Sequence, residues 1–225
     1  MVLQAVPRPV LMRSRRRALK PLVSLEQSLN GPAFLDFRTA PRMNDLLRRV
    51  FVTDCGMLAL WQPEQFRSIV DYQTWEPELL EDADIFRHIQ QGALVPLNVE
   101  ADGAFECAIR AGSDGMPATL SDRENRYRLV SSEPYLFRSL GVLSISGIEH
   151  IDRSPGEASS SVPLAAGDWV VTVHFIDWTQ EPGAQTADGK PAPGALPDFV
   201  VLLNPASPGM RFRTKITTFE RSGGA

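Results

Sequence analysis

The residue types that could do chemistry in this chain are few, and they are scattered. Three histidines occur, His88, His150 and His174. Side chains alternate along a strand, so on the segment 142–151 His150 faces away from Glu149, and Asp152 shares the face of His150 if the strand runs on. With His174 and Asp177 supplied by a neighbouring strand, these four would make a two-histidine, two-carboxylate set of the kind that suits a divalent transition metal. That spacing matches no familiar ligand signature, and the competing expectation is a group of strand-end polar residues near water. The run Gly141-Val-Leu-Ser-Ile-Ser-Gly147 sets serines between glycines. It lacks GxSxG spacing, and it lies in a strand rather than at a strand-to-helix elbow. A metal or small-molecule binder, or a hydrolase, built on the His150/His174 region is thus one open alternative. Gly147 reads as a bulge that re-aims Glu149. Cys55 has Asp54 beside it and no basic neighbour to stabilise a thiolate. No GxGxxG, Walker loop or HExxH occurs, so no cofactor is expected and no catalytic residue is assigned.

The densest charged feature is acidic: Glu76, Glu78, Glu81, Asp82 and Asp84. Carboxylates at a helix start are favoured by the helix dipole, so a solvated helix N-terminus accounts for them. They equally describe an electrostatic face that docks on a basic protein and speeds association. Charge along the chain is uneven. Residues 1–20 hold six basic and no acidic side chains, and the remainder carries 17 basic and 27 acidic groups. An acidic body does not suit nucleic acid, whose phosphates need a positive surface, and it does suit a basic protein partner. The tryptophans are not interleaved with basic residues, so base stacking is not expected.

The elements that must position these residues are mostly strands. The lead 1–20, with its arginines and two prolines, predicts disorder, and 21–225 predicts one β-rich domain. A short helix is expected over 44–49, then a strand or broken pair of strands over 50–61, and a short amphipathic helix over 63–72. The clearest helix begins near Trp75, with Pro77 in its first turn, an apolar stripe of Leu79, Leu80, Ile85, Phe86 and Ile89, and Gly92 as its stop. Segments 94–99 and 104–110 read as a hairpin around 100–103. Loops are expected over 116–125, 153–166 and the Pro/Gly-rich 179–197, with strands at 127–130, 135–139, 142–151 and 167–178. Segment 199–203 reads as a strand buried on both faces. Segment 210–219 alternates Phe212, Thr214 and Ile216 with Arg211, Arg213 and Lys215, as a basic edge strand would. The sum is a mainly β, α+β fold: an antiparallel sandwich or partly open barrel with one clear helix.

No apolar run reaches the length of a membrane span, and the stretch after the N-terminal arginines is too polar for a signal core. Cys55 and Cys107 form no CxxC pair and read as small buried thiols in a reducing compartment. These features predict a cytoplasmic protein with no membrane partner.

Several short stretches occur together: Val52-Thr-Asp54 leading into Leu58-Ala-Leu-Trp61, Asp71-Tyr-Gln-Thr-Trp75, 97–103, Leu136-Phe-Arg-Ser-Leu-Gly141, Leu143-Ser-Ile-Ser-Gly-Ile-Glu149, and the strand from Gly167 that ends Ile176-Asp-Trp178. In this order, over about 50–180, they resemble a family of small bacterial proteins of unknown function, some of which look like immunity proteins of polymorphic toxin systems. The chain departs from that pattern at Gln73-Thr74, where a second acidic residue or tryptophan is expected. The resemblance implies a non-catalytic, protein-binding role, in its sharper form an immunity protein that neutralises a basic toxin. An accessory protein of a secretion or phage-like system is the second alternative.

Overall fold

The computed structural model describes residues 45–220, so the basic lead expected over 1–20 lies outside the described residues. Alternating apolar residues with turn residues between them produce ten strands here. They are β1 (Asp45–Thr53), β2 (Met57–Trp61), β3 (Leu94–Asn98), β4 (Gly103–Ala111), β5 (Arg128–Ser131), β6 (Tyr135–Ser139), β7 (Val142–Gly147), β8 (Ser160–Pro163), β9 (Gly167–Ile176) and β10 (Phe199–Pro205). Three helices accompany them: α1 (Tyr72–Leu79), α2 (Asp82–Gln90) and α3 (Asp122–Arg126). The fold is mainly β with α+β character, in two sheets that do not close into a barrel.

The first sheet runs β1-β4-β10-β9-β5, with β6 also paired to β9. The second runs β3-β2-β7-β8. All the ladders are antiparallel except β10 with β4, which is parallel. β5 and β6 share one edge of β9, β5 taking its end and β6 its start. Between them the backbone N–H of Ser132 donates to Val173 O, and its hydroxyl accepts the Val173 N–H, at 2.9 and 3.0 Å. That side chain closes the gap ahead of Pro134, which has no N–H to give. Arg49 links the open edges of the two sheets, donating from β1 to the Ser160 hydroxyl at the start of β8.

Alternation places Val171, Val173 and Phe175 of β9 between the sheets, with Phe199, Val201 and Leu203 of β10 beside them in the same core. β2 is buried along its whole length. On its far side the Trp61 ring meets Phe66 edge-on at 5.9 Å, and Phe66 meets His88 of α2 at 4.7 Å. β2 is therefore covered on both faces. As expected from its unbroken apolar run, β10 is buried on both faces too. Its outer face forms a smaller core of Val200 and Leu202 with Ile176 and Trp178, to which 179–197 contributes Ala184, Ala195 and Leu196. That Pro/Gly-rich loop is a packed cover.

Several expectations are corrected. Of the helix expected over 44–49, the described residues 45–49 are strand instead: they are part of β1, because pairing of that nine-residue strand with β4 outweighs weak local helix preference. The helix expected over 63–72 shrinks to a 3₁₀ turn, Pro63–Phe66. The single helix expected from Trp75 is two helices broken at Leu80 and Glu81, and Pro77 lies well inside the first. β3 and β4 are not a hairpin. They belong to different sheets, and 100–103 is the crossing between them, with Glu100 at φ +53°. Residues 116–125 are not all loop, since Ser121 and Glu124 form a reciprocal capping box that starts α3. The 153–166 loop contains β8. Residues 210–219 form no ladder strand. They run as a strap: the Arg213 N–H reaches Pro134 O, the Phe219 N–H reaches Asn98 O, and the Phe219 ring plugs the core against Phe199 at 5.5 Å. Burying that ring contributes about 2–3 kcal/mol. Cys107 is buried as expected, but Cys55 is exposed.

Candidate functional site

Two short cap motifs build the most distinctive surface of the molecule. Asp71 starts α1 with a capping box, its carboxylate accepting the Thr74 N–H at 2.9 Å while the Thr74 hydroxyl accepts the Asp71 N–H at 3.1 Å. This start angle turns Trp75 inward, where its indole N–H donates to Ile148 O at 2.9 Å and ties α1 to the second sheet. Tyr72, one turn earlier on the same face, stacks on Trp75 at 5.9 Å and 20° between ring planes.

The second motif is at the end of β7. Gly147 closes that strand and the chain turns through a 3₁₀ turn, Ile148–His150. The Glu149 carboxylate folds back over Gly147 to accept the Asp54 N–H at 2.8 Å, and its other oxygen lies 3.2 Å from the Thr53 hydroxyl. A Cβ on residue 147 would stand 2.5 Å from that carboxylate, so glycine is needed for this close approach. Gly147 is therefore a strand end that makes room for Glu149, where a mid-strand bulge was expected. The contact pins the β1–β2 turn, with Cys55, beside the start of α1.

Between these parts lies a groove of about 400 Å³. Its floor is apolar: Ile69 and Ile151 are buried and Trp75 is half-buried. Its lips are apolar and exposed, with Val70, Tyr72 and Leu80 at 50, 63 and 49%. Asp71, Glu149 and Asp152 are the charged residues that line it. Burial pushes the Cys55 thiol up, and the negative charges of Glu149, Asp102 and Asp54 push it further. Cys55 therefore stands protonated at neutral pH, unlike a nucleophile, and it reports a negative field at the groove wall.

The predicted acidic face divides in two. Glu78 accepts from Arg87 at 3.0 Å and sits 2.9 Å from His88 Nε2, and Asp84 pairs with Arg87 at 3.0 Å. Glu78 thus ties α1 to α2, while Asp84 is taken up by Arg87 within α2. Glu76, Glu81 and Asp82 are exposed and form no ion pair among the described residues; Glu76 lies 3.4 Å from the Tyr72 hydroxyl. Glu76 thus extends the negative rim beside the groove.

The predicted metal set is not assembled. β7 and β9 lie in different sheets, so His150 and Asp152 stand apart from His174 and Asp177. Among the described residues no three His, Cys, Asp or Glu side chains come together to hold a metal ion. His150 is exposed and 3.8 Å from Glu149. Asp152 accepts the Ser154 N–H at 2.6 Å. Asp177 accepts a hydrogen bond from the Thr179 hydroxyl. His174 lies on the outer face of the first sheet with Nδ1 2.8 Å from the Ser131 hydroxyl, and its buried Nε2 has no hydrogen-bond partner among the described residues. Burial, then the charge of Arg128, lowers its pKa to about 4, so it is neutral at pH 7. Among the described residues no carboxylate bonds this histidine to orient it as a triad needs. The serines between Gly141 and Gly147 are equally structural: Ser144 bonds Ser161 at 2.7 Å, and Ser146 accepts the Trp61 indole N–H at 3.1 Å.

Reading the sequence for function missed Asp71, Tyr72, Trp75 and Leu80. A D-x-x-T cap is legible before α1, but nothing in the sequence says that Tyr72 stays exposed while Trp75 turns in.

No family model and no curated protein matches the chain. Among solved structures, the chain is similar to two at low identity. One is the protein of crocagin biosynthetic gene J, 16% identical, with a TM-score of 0.49 over 71% of this chain and 96% of that one. The other is ComJ from Bacillus subtilis, an inhibitor of the DNA-degrading activity of NucA, 9% identical, with a TM-score of 0.42 over 72% of this chain and 97% of that one. At such identities a likeness does not carry function from one protein to another.

Proposed function

We propose that this protein is a non-catalytic, protein-binding domain of the inhibitor or immunity type, which docks on a basic protein in the cytoplasm through the groove beside α1. The observation that carries the reading is the exposed apolar lip of Val70, Tyr72 and Leu80 around a negatively charged groove. Exposed aromatic and aliphatic residues clustered at a concavity with a polar rim are how protein interfaces are built. The carboxylates add steering toward a cationic partner. Two free cysteines fit a reducing compartment.

The test is capture by the tagged full chain in its native host, followed by titration of the purified partner by calorimetry. A one-to-one basic partner is expected, with binding that weakens as salt rises. Tyr72→Ala with Leu80→Asp should lower its affinity by about a hundred-fold or more while leaving the melting temperature within about 2 °C. A partner that binds the double variant as tightly as the unaltered chain overturns the assignment to this groove.

A further inference from the structure

The groove beside α1 has a composition that narrows what enters it. Among the described residues three carboxylates line it, Asp71, Glu149 and Asp152, and no lysine or arginine does. A carboxylate has about four acceptor positions. Both Glu149 oxygens are engaged, by the Asp54 N–H and the Thr53 hydroxyl. Asp71 takes the Thr74 N–H and hydroxyl on one oxygen and Asp152 takes the Ser154 N–H on one, so an oxygen remains on Asp71 and on Asp152. His150 is exposed beside the groove, its Nε2 3.8 Å from Glu149. The rest of the lining is aromatic and aliphatic, with the Tyr72 and Trp75 rings stacked at the lip. A metal ion does not suit an apolar floor with no three ligands in reach. An anionic lipid or nucleic acid is repelled. What fits is an apolar stem ending in a cation, able to lie along a ring face and to span separate carboxylates.

We infer that the groove receives one arginine side chain from the partner, its methylenes against Leu80 and Val70, its guanidinium over the Tyr72–Trp75 pair and its N–H groups on Asp71 and Asp152. Arginine suits this better than lysine because its planar, weakly hydrated head stacks on aromatic rings and carries five donors in a fork, whereas an ammonium is a compact, strongly hydrated point charge. The inference rests on the docking reading above and goes beyond it by naming the group that is read.

The probes are three pentapeptides, acetyl-Gly-Ala-X-Ala-Gly-amide, with X arginine, citrulline or norleucine. Each is titrated into the full ¹⁵N-labelled chain while the Trp75 indole N–H and the amides of 71–80 are followed by NMR. The arginine peptide should shift these signals saturably, and citrulline, the uncharged isostere, should bind about ten-fold more weakly or worse. Asp71→Asn with Asp152→Asn should abolish that preference. Asparagine keeps the helix cap at 71 and the acceptor at 152, so the double variant tests charge in an intact groove. Citrulline or norleucine binding as tightly as arginine overturns the arginine reading and leaves an apolar docking groove standing. The same division holds if no peptide binds while the captured partner still depends on Tyr72 and Leu80. Partner binding that ignores both residues, with no peptide bound, removes both readings.

Discussion

The two outer faces of this molecule handle charge in opposite ways. On the outer face of the first sheet, Arg110 of β4 makes two hydrogen bonds to Glu124 of α3, at 2.7 and 2.8 Å, and one to Asp45 of β1 at 2.6 Å. All three side chains are buried beside the smaller apolar core. Burial alone would push the Glu124 carboxyl up, but the bonds from Arg110 and Ser121 outweigh it and hold the group at about 2. On the helix-bearing side of the second sheet, carboxylates stand at an open groove whose described lining holds no lysine or arginine. The first arrangement answers every charge from within the chain and joins a short helix to a sheet. The second leaves charge and apolar area facing outward, which costs stability unless something else covers them. The difference separates a part that holds the fold together from a part available to a partner.

The largest way to break the comparison is Arg110→Ala. It takes the guanidinium away from two buried carboxylates, so unfolding in urea should show a loss of about 3–5 kcal/mol. A loss under about 1 kcal/mol would mean that the network is solvated and no different in kind from the groove.

Acid titration comes next. The folded-state pKa of His174, about 4, lies below its ordinary 6.5. The unfolded chain therefore binds the extra proton between those values, and the stability that neutral His174 provides is full above 6.5 and lost as the pH falls to 4. Burial shifts His88 the same way. Glu124 is lowered from 4.5 to about 2, so its contribution is full above 4.5 and lost as the pH falls through that lower range. Each step is worth a few kcal/mol at most. Urea midpoints against pH should show both steps, and His174→Gln should remove much of the upper one. A midpoint flat from 7 to 4 would contradict the burial of His174.

The smallest effect tests how the groove is held. Gly147→Ala should cost about 1–3 kcal/mol by displacing the Glu149 carboxylate. In the Glu149→Ala background the same change should cost far less, because the clash is then gone. Equal costs in the two backgrounds would show that the glycine serves the backbone alone.

The elements that were legible share a local cause. Alternation in β9, the unbroken apolar run of β10 and Gly92 at φ +72° after α2 all act within a few residues. The misread segments are those whose partners are distant. Residues 45–49 are a strand because β4 pairs with them, and the 210–219 alternation finds no ladder. α3 was legible in principle from Ser121-x-x-Glu124, and reading 116–125 as polar loop passed over it.

By itself the sequence determined a mainly β chain with an acidic body, a long strand over about 167–178, a buried strand at 199–203, and an acidic helical stretch near residue 80. Those follow from composition and from periodicities of two and 3.6 residues, which each segment carries within itself. Tertiary structure alone decided that β3 and β4 part into different sheets, that His150 and His174 never meet, that Glu78 and Asp84 are taken up by Arg87, and that Asp71, Tyr72, Glu149 and Asp152 converge on one groove. The reason is physical: which face of an element is covered depends on strand order and on what packs over it, and contacts between residues far apart in the chain are not written in the spacing of either one.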